Sequence, residues 1–440
     1  MRIPAIVVAL LLGLAGCAFF KAAPPPPPPR PVFAGHTATL DITNGIRISA
    51  AVVMPNGFTP APDSPPRWLA QGTIVAVTGT LDRKTVMLGF GGDQLSKMTV
   101  LASDFGPGAP TGRILAMAAN PDGMELATAV APAGAHRLDL IVIDTISGGE
   151  GHAVASFDGD YRVASLGWFD RSTIALVIYP SAPTTLAGRA NAASGLYAVG
   201  ISGIGSVTHL DRLQCRPGRL SFSPNRRFAL SAGDRAAPSA VIDLHSQACA
   251  ELRVPVPIRM LGWAPDSSAL LYATGGVNGG VFRYTVATGR RTLIAVSSAA
   301  AAYASDGTII AMGNGRLSWK GIARDRDAKA KVEIALLNPL TAVVTINSLG
   351  FETPPVMFAH SSMVLTPASD SAAIETFIPV PEGLLRELID YSYPSRSAFV
   401  LASGLAAGPL AMGWSDDGSA LAIVDGDGAR AMLTVLIPPR

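Results

Sequence analysis

The sequence predicts an all-β protein built by repeating one small antiparallel unit, and three observations carry the prediction. First, a segment such as LGWAPDSSALLYAT (residues 261–274) reads as a short strand, a tight turn and a second strand, and similar segments recur along the chain. Second, aligned copies of the turn are spaced by 48, 55, 41, 40, 64 and 47 residues, the length of a four-stranded unit. Third, the 45 Gly and 35 Pro punctuate the chain too often for long helices. Units of this size close into a ring, so the fold class is a single β-propeller. Eight four-stranded blades is the favoured count, and seven follows if residues 46–102 pack differently.

The turn has its own chemistry. Six copies read Asp-x-x-x-Leu or Asp-x-x-x-Ile, beginning at Asp122, Asp170, Asp266, Asp306, Asp370 and Asp417. A carboxylate at that position accepts bonds from its own turn backbone, and a preceding proline, as in Pro265-Asp266, presets φ. Asn225 is a looser seventh copy and Asn56 a possible eighth. Trp168, Trp263 and Trp414 end the first strand of three copies, where core packing is the simplest role and a ligand platform the alternative.

In chain order, residues 1–16 read as a lipoprotein signal peptide: Arg2 is the basic region and 6–14 an apolar stretch too short to span a bilayer as a helix. Leu14-Ala15-Gly16-Cys17 resembles the lipobox of bacterial lipoproteins. The resemblance implies cleavage before Cys17, its acylation, and anchorage in a lipid bilayer by several chains, since one chain binds only marginally. Ala18 follows the cysteine, which by the sorting rule of enteric bacteria favours the outer membrane. Residues 17–36 are the lipidated cysteine and a linker, whose six consecutive prolines (24–29) form an extended spacer. At ~3.1 Å per residue they reach roughly 19 Å.

The propeller domain is expected over 37–440. The last repeat offers three strands, LAMGW, ALAIV and AMLTVLI, and residues 37–43 are expected to supply its fourth, because closing the ring removes exposed strand edges. Insertions fall at 179–194, at 318–331 with its Arg324-to-Asp327 charge cluster, and at 381–392, where 384–391 places Leu384, Leu385, Leu388 and Tyr391 near one helical face.

The turns resemble those of TolB-like propeller repeats, typically Ser-Pro-Asp-Gly. Ser223-Pro224-Asn225, Ala264-Pro265-Asp266 and Asn120-Pro121-Asp122-Gly123 come nearest. The resemblance covers most of 45–437 and implies a propeller whose partner is another envelope protein. No regular Trp-Asp dipeptide is present, so the WD-repeat pattern fits less well.

Chemistry is sparse. The formal net charge of +2 and scattered Lys and Arg argue against nucleic acid as a partner. Gly413-Trp414-Ser415 begins like a nucleophile elbow, but Asp417 replaces its second glycine. The six histidines show no metal-ligand spacing, and no cofactor motif appears. No catalytic, cofactor-binding or metal-binding residue is therefore assigned. Asp425-Gly426-Asp427-Gly428 reads as a hairpin turn rather than a calcium loop. Cys215 and Cys249 lie 34 residues apart; a disulfide in an oxidising compartment is expected, with two buried thiols as the alternative. Three functions remain open: a periplasmic, membrane-anchored protein-binding or scaffold module, a pore-mouth enzyme or small-ligand binder (lactonase-like), and a subunit of a secretion or surface-appendage machine.

Overall fold

A computed structural model describes residues 47–438 except 62–63, 92–94, 105–111, 147–150, 182–192, 203–205, 234–237, 255–257, 275–279, 297–299, 315–330, 340–343, 353–362, 369, 381–382, 404, 406–409 and 426–430. Eight antiparallel sheets stand around a central channel, one per blade. In chain order their innermost strands (strand a of blades 1–8) are Arg67–Leu69, Gly112–Ala119, Tyr161–Trp168, Arg219–Phe222, Ile258–Trp263, Ala300–Tyr303, Met363–Leu365 and Leu410–Trp414. Strands b, c and d follow outwards in each blade. The protein is an eight-bladed β-propeller.

Turn chemistry explains why the strands begin and end where they do. Asp122, Asp170, Asp266, Asp306 and Asp417 each accept the amide of the residue two further on, at 2.8–3.2 Å, and Asn225 does the same for Arg227 at 3.0 Å. Asp370 instead accepts the Thr366 hydroxyl at 2.7 Å. The residue after the Asp or Asn takes the left-handed region at Gly123 (φ 70°), Gly307 (83°) and Gly418 (70°), as well as at Arg226 (58°) and Ser267 (63°). Glycine makes that conformation cheap in three copies.

Two expectations about the turns and the ring are corrected. Asn56 is not at an a–b turn. It lies between the outer strand Arg47–Val53 and the short strand Phe58–Pro60, and the eighth a–b turn is residues 70–73, which contain no Asp. The ring is closed not by 37–43, which lie outside the described residues, but by Arg47–Val53, the outer strand of blade 8. It pairs antiparallel with Met432–Ile437, Ala51 opposite Thr434. Arg47–Val53 therefore does not belong to blade 1. Strand a of that blade is split: Phe58–Pro60 and Arg67–Leu69 pair with opposite ends of Ile74–Leu81. Gly79 permits the split, since a Cβ there would meet Phe58 Cζ and Thr59 O, both at 2.4 Å.

Residues 384–391 belong to a strand, Gly383–Ser392, instead of a helix. Leu388, Ile389 and Tyr391 are all at most 1% exposed, because successive side chains are buried against blade 8 and blade 6 in turn. A strand covered on both faces loses its alternation and mimics a helical pattern.

The core is a set of apolar layers between blades. One layer joins Leu138 and Leu140 of blade 2 to Trp168 and Leu176 of blade 3. Another joins Val77 and Leu88 of blade 1 to Val424 and Leu433 of blade 8, sealing the ring. Cys215 and Cys249 form a disulfide with Cα atoms 5.9 Å apart, tying the connection into blade 4 to that blade's outer strand, Ala248–Glu251.

Candidate functional site

The a–b turns surround one mouth of the channel. They are tied to one another: Ala70 N donates to Gly123 O (3.3 Å), Asn225 N to Ser267 Oγ (3.1 Å) and Ser305 Oγ to Ala368 O (3.3 Å). Inside this rim lies a cavity of about 440 Å³, lined by the ends of the inner strands of blades 1–4 and 8. Its walls carry Trp68, Trp168 and Trp414, the cations Arg67 and Arg226, and the carboxylates of Asp122 and Asp416.

The tryptophans act as staples. Trp68, Trp168, Trp263 and Trp414 each donate their indole N–H to a carbonyl of the preceding blade: Gly413, Ala118, Ser221 and Val364, at 2.9–3.2 Å. The acceptor is always the next-to-last residue of that inner strand in its alignment, so four blade interfaces share one bond. A close-fitting neighbour comes with it. A Cβ on Gly413 would sit 2.1 Å from Pro66 O. Trp68 escaped sequence alignment because its blade lacks the Asp turn; its position before an a–b turn was the available signal.

Other predicted features are spoken for. Ser415 of the elbow-like Gly-Trp-Ser donates to Asp417 (2.7 Å) and accepts the Ala420 amide (2.9 Å). That hydroxyl builds the turn. Asp425 ends an inner-blade strand opposite Met432, as a hairpin requires, with 426–430 outside the described residues. His136 meets Asp160 at 2.9 Å on the surface, and His209 stacks on Tyr197. Among the described residues no three His, Cys, Asp or Glu side chains gather as a metal ion would need. Cys17, His36, His360, residues 182–192 of the insertion at 179–194 and residues 318–330 of the insertion at 318–331 lie outside the described residues.

Several charged groups were missed by the sequence. Arg386 pairs with Glu375 at 2.6 Å and approaches Asp425 at 3.8 Å, all three side chains at most 9% exposed, between blades 7 and 8. On the same strand Asp390 is buried, with Oδ1 lacking a partner, and burial pushes its pKa up to about 6 despite a bond from Ser371. Arg67 and Arg259 are pushed below the usual guanidinium range, chiefly by burial within the ring. Arg219 adds like charge at Arg67, and Glu375 partly offsets the shift at Arg259. At the turns, bonds from the Ser268 amide and hydroxyl hold Asp266 below the usual carboxylate range.

No family model and no curated protein matches the sequence. Solved structures match in fold. The dihydro-heme d1 dehydrogenase NirN in complex with DHE is 14% identical, with 91% of this chain and 84% of that one covered and a TM-score of 0.48. A prolyl endopeptidase is also 14% identical, with 84% of this chain against 55% of that one and a TM-score of 0.45. The oligogalacturonate lyase from Vibrio parahaemolyticus is 12% identical, with 75% and 94% covered and a TM-score of 0.42. At such identities the likeness concerns the fold, and the functional argument rests on this chain's own residues.

Proposed function

We propose that this protein is an exported, lipid-anchored propeller that serves as a docking module in the bacterial cell envelope. In this reading Cys17 carries the acyl chains and the proline-rich linker holds the propeller off an outer membrane. The a–b face then receives a protein partner, in the manner that the TolB-like turns suggest. The observation that carries the proposal is the ring closure. Arg47–Val53 is the outer strand of blade 8, so the chain arriving from the linker joins the propeller at its circumference. A tether attached there leaves the hydrogen-bonded rim of a–b turns available for docking. The Cys215–Cys249 bridge is a second support, since such bonds persist in oxidising compartments.

Two measurements test this. Replacing Cys17 by Ser should abolish palmitate labelling and release the chain from membranes; continued labelling would refute the anchor site. A photo-crosslinking residue at Asp416, on the rim, should capture one reproducible protein in intact cells. The same residue at Met98, exposed on an outer strand, should not. Absence of any reproducible adduct at the rim would overturn the docking role.

A further inference from the structure

We infer that a groove between blades 3 and 4, beside their a–b turns, receives a short peptide segment that sets an apolar side chain among acidic residues. The groove lies on the face assigned above to docking, so this use of it rests on that reading.

The seam between these two blades is built differently from the stapled seams on either side of it. Blade 4 ends its inner strand, Arg219–Phe222, with a phenylalanine where blades 3, 5 and 8 end theirs with tryptophan. Phe222 has no N–H to give to blade 3. The side-chain bond that crosses here comes from the a–b turn instead: Arg226 Nη1 donates to Trp168 O at 3.2 Å. Beside that turn a cavity of about 580 Å³ opens to solvent. Its size falls within the ~300–1,000 Å³ typical of ligand sites.

Part of its lining is apolar. Phe169, Leu210 and Leu244 face it, each half-buried, and Phe169 is backed by Phe222 with ring centroids 5.3 Å apart. Leu210 begins the connection into blade 4. That connection is pinned to the blade by the Arg212 amide, which donates to Gln247 Oε1 at 2.8 Å, and by the Cys215–Cys249 bridge. A lining held in this way needs little ordering when a partner arrives.

The rest of the charged lining is basic. Arg226, Arg227 and His245 face the groove, and none of its described lining residues is Asp or Glu. Arg227 is already balanced by Asp243 at 2.9 Å. Arg226 is different: its bond to Trp168 goes to an uncharged carbonyl, and it makes no ion pair among the described residues. Arg226 also holds the left-handed region (φ 58°), where Gly123, Gly307 and Gly418 occupy the corresponding place in other turns. A long cation kept where glycine would be cheaper points to a use for its charge. A guanidinium pairs with a carboxylate through two parallel bonds. The partner segment therefore brings carboxylates for Arg226 and an apolar side chain for the half-buried lining, which a flat lipid surface would not reach.

The test is selection of a phage-displayed library of random twelve-residue peptides on the immobilised full chain. Enriched peptides should combine Asp or Glu with an aliphatic or aromatic residue, and a synthetic copy should bind one per chain in calorimetric titration. Arg226→Gln should weaken that binding by about tenfold or more. His245→Glu, which puts a carboxylate into the lining at an exposed turn residue, should do the same. Lys97→Glu, a charge reversal on the exposed outer strand of blade 1, should not change it. Circular dichroism melts would show that each variant is folded, and Arg226→Lys, which keeps charge but loses the fork, should fall between wild type and Arg226→Gln. Selection of no peptide, selection of peptides without acidic residues, or equal binding to the wild type and to either weakened variant would overturn the proposal. So would binding of the Cys17→Ser chain to phosphatidylglycerol vesicles with no peptide selected, which would assign the groove to a lipid surface. Capture at Asp416 in cells keeps the two readings apart. Rim capture that fails while the peptide binds sinks the docking role, whereas rim capture without any selected peptide sinks the groove alone.

Discussion

Replacing Arg386 by Met should destabilise the propeller more than any single change at its surface. Arg386 neutralises Glu375 at 2.6 Å and faces Asp425 at 3.8 Å, and the three side chains are 9%, 2% and 6% exposed. Removing the cation leaves two carboxylates buried between blades 7 and 8. Breaking such a pair costs about 3–5 kcal/mol, most of it the penalty of charge left unpaired. A ring of this size unfolds with an entropy of roughly 0.8 kcal/mol/K, so a loss of about 4 kcal/mol lowers the melting temperature by about 5 °C. The penalty belongs to the ionised carboxylates, so protonation relieves it. The difference from wild type should therefore be largest at pH 7.5 and shrink at pH 5. Adding Glu375→Gln and Asp425→Asn to Arg386→Met should restore most of the loss, because the buried charges are then gone. Scanning calorimetry and urea unfolding of the single and triple variants at both pH values would measure this. A single variant within about 1 kcal/mol of wild type at pH 7.5, or a loss that does not shrink on acidification, would refute the reasoning.

Three further outcomes follow from the same structure. Asp390 has a folded pKa of about 6, above the unfolded value of about 3.9, so its contribution is intact below pH 4 and is lost as pH rises to 6. Asp390→Asn should thus stabilise the protein by up to about 3 kcal/mol at pH 7.5 and leave it unchanged at pH 4, as read from urea midpoints. Trp263→Phe removes the indole N–H bond to Ser221 O and should cost about 1–2 kcal/mol, measured by thermal unfolding, without loss of the ring fold. Replacing Cys215 and Cys249 together by Ala opens a 34-residue separation and should cost up to about 4 kcal/mol; reductant should lower the melting temperature of wild type but not of this variant.

The parts of the fold legible in the sequence are those whose causes are local. The Asp-centred turns work through a bond from Asp Oδ1 to an amide two residues away, so Asp122, Asp170, Asp266, Asp306 and Asp417 marked the a–b corners without any tertiary information. Their spacing, with Asp370 and Asn225, implied seven of the blades, whereas the favoured count of eight leaned on Asn56 and 37–43, neither of which fills the role expected of it. The Cys215–Cys249 pairing was legible as well, because only two cysteines lie in the repeat region. The Trp263 segment already showed a tryptophan at a strand end, though not that its N–H reaches the neighbouring blade.

What the tertiary structure decided depends on contacts between distant parts of the chain. Residues 37–43 and 47–53 are both short β-prone runs, and pairing with Met432–Ile437 chose the second as the closing strand. Residues 384–391 looked helical because two blades cover both faces of the strand they belong to. Arg67, Arg219 and Arg259 are separated by 152 and 40 residues and share no local motif. Only closure of the ring puts all three on inner strands around one channel, where Arg67 of blade 1 and Arg219 of blade 4 come to feel each other's charge.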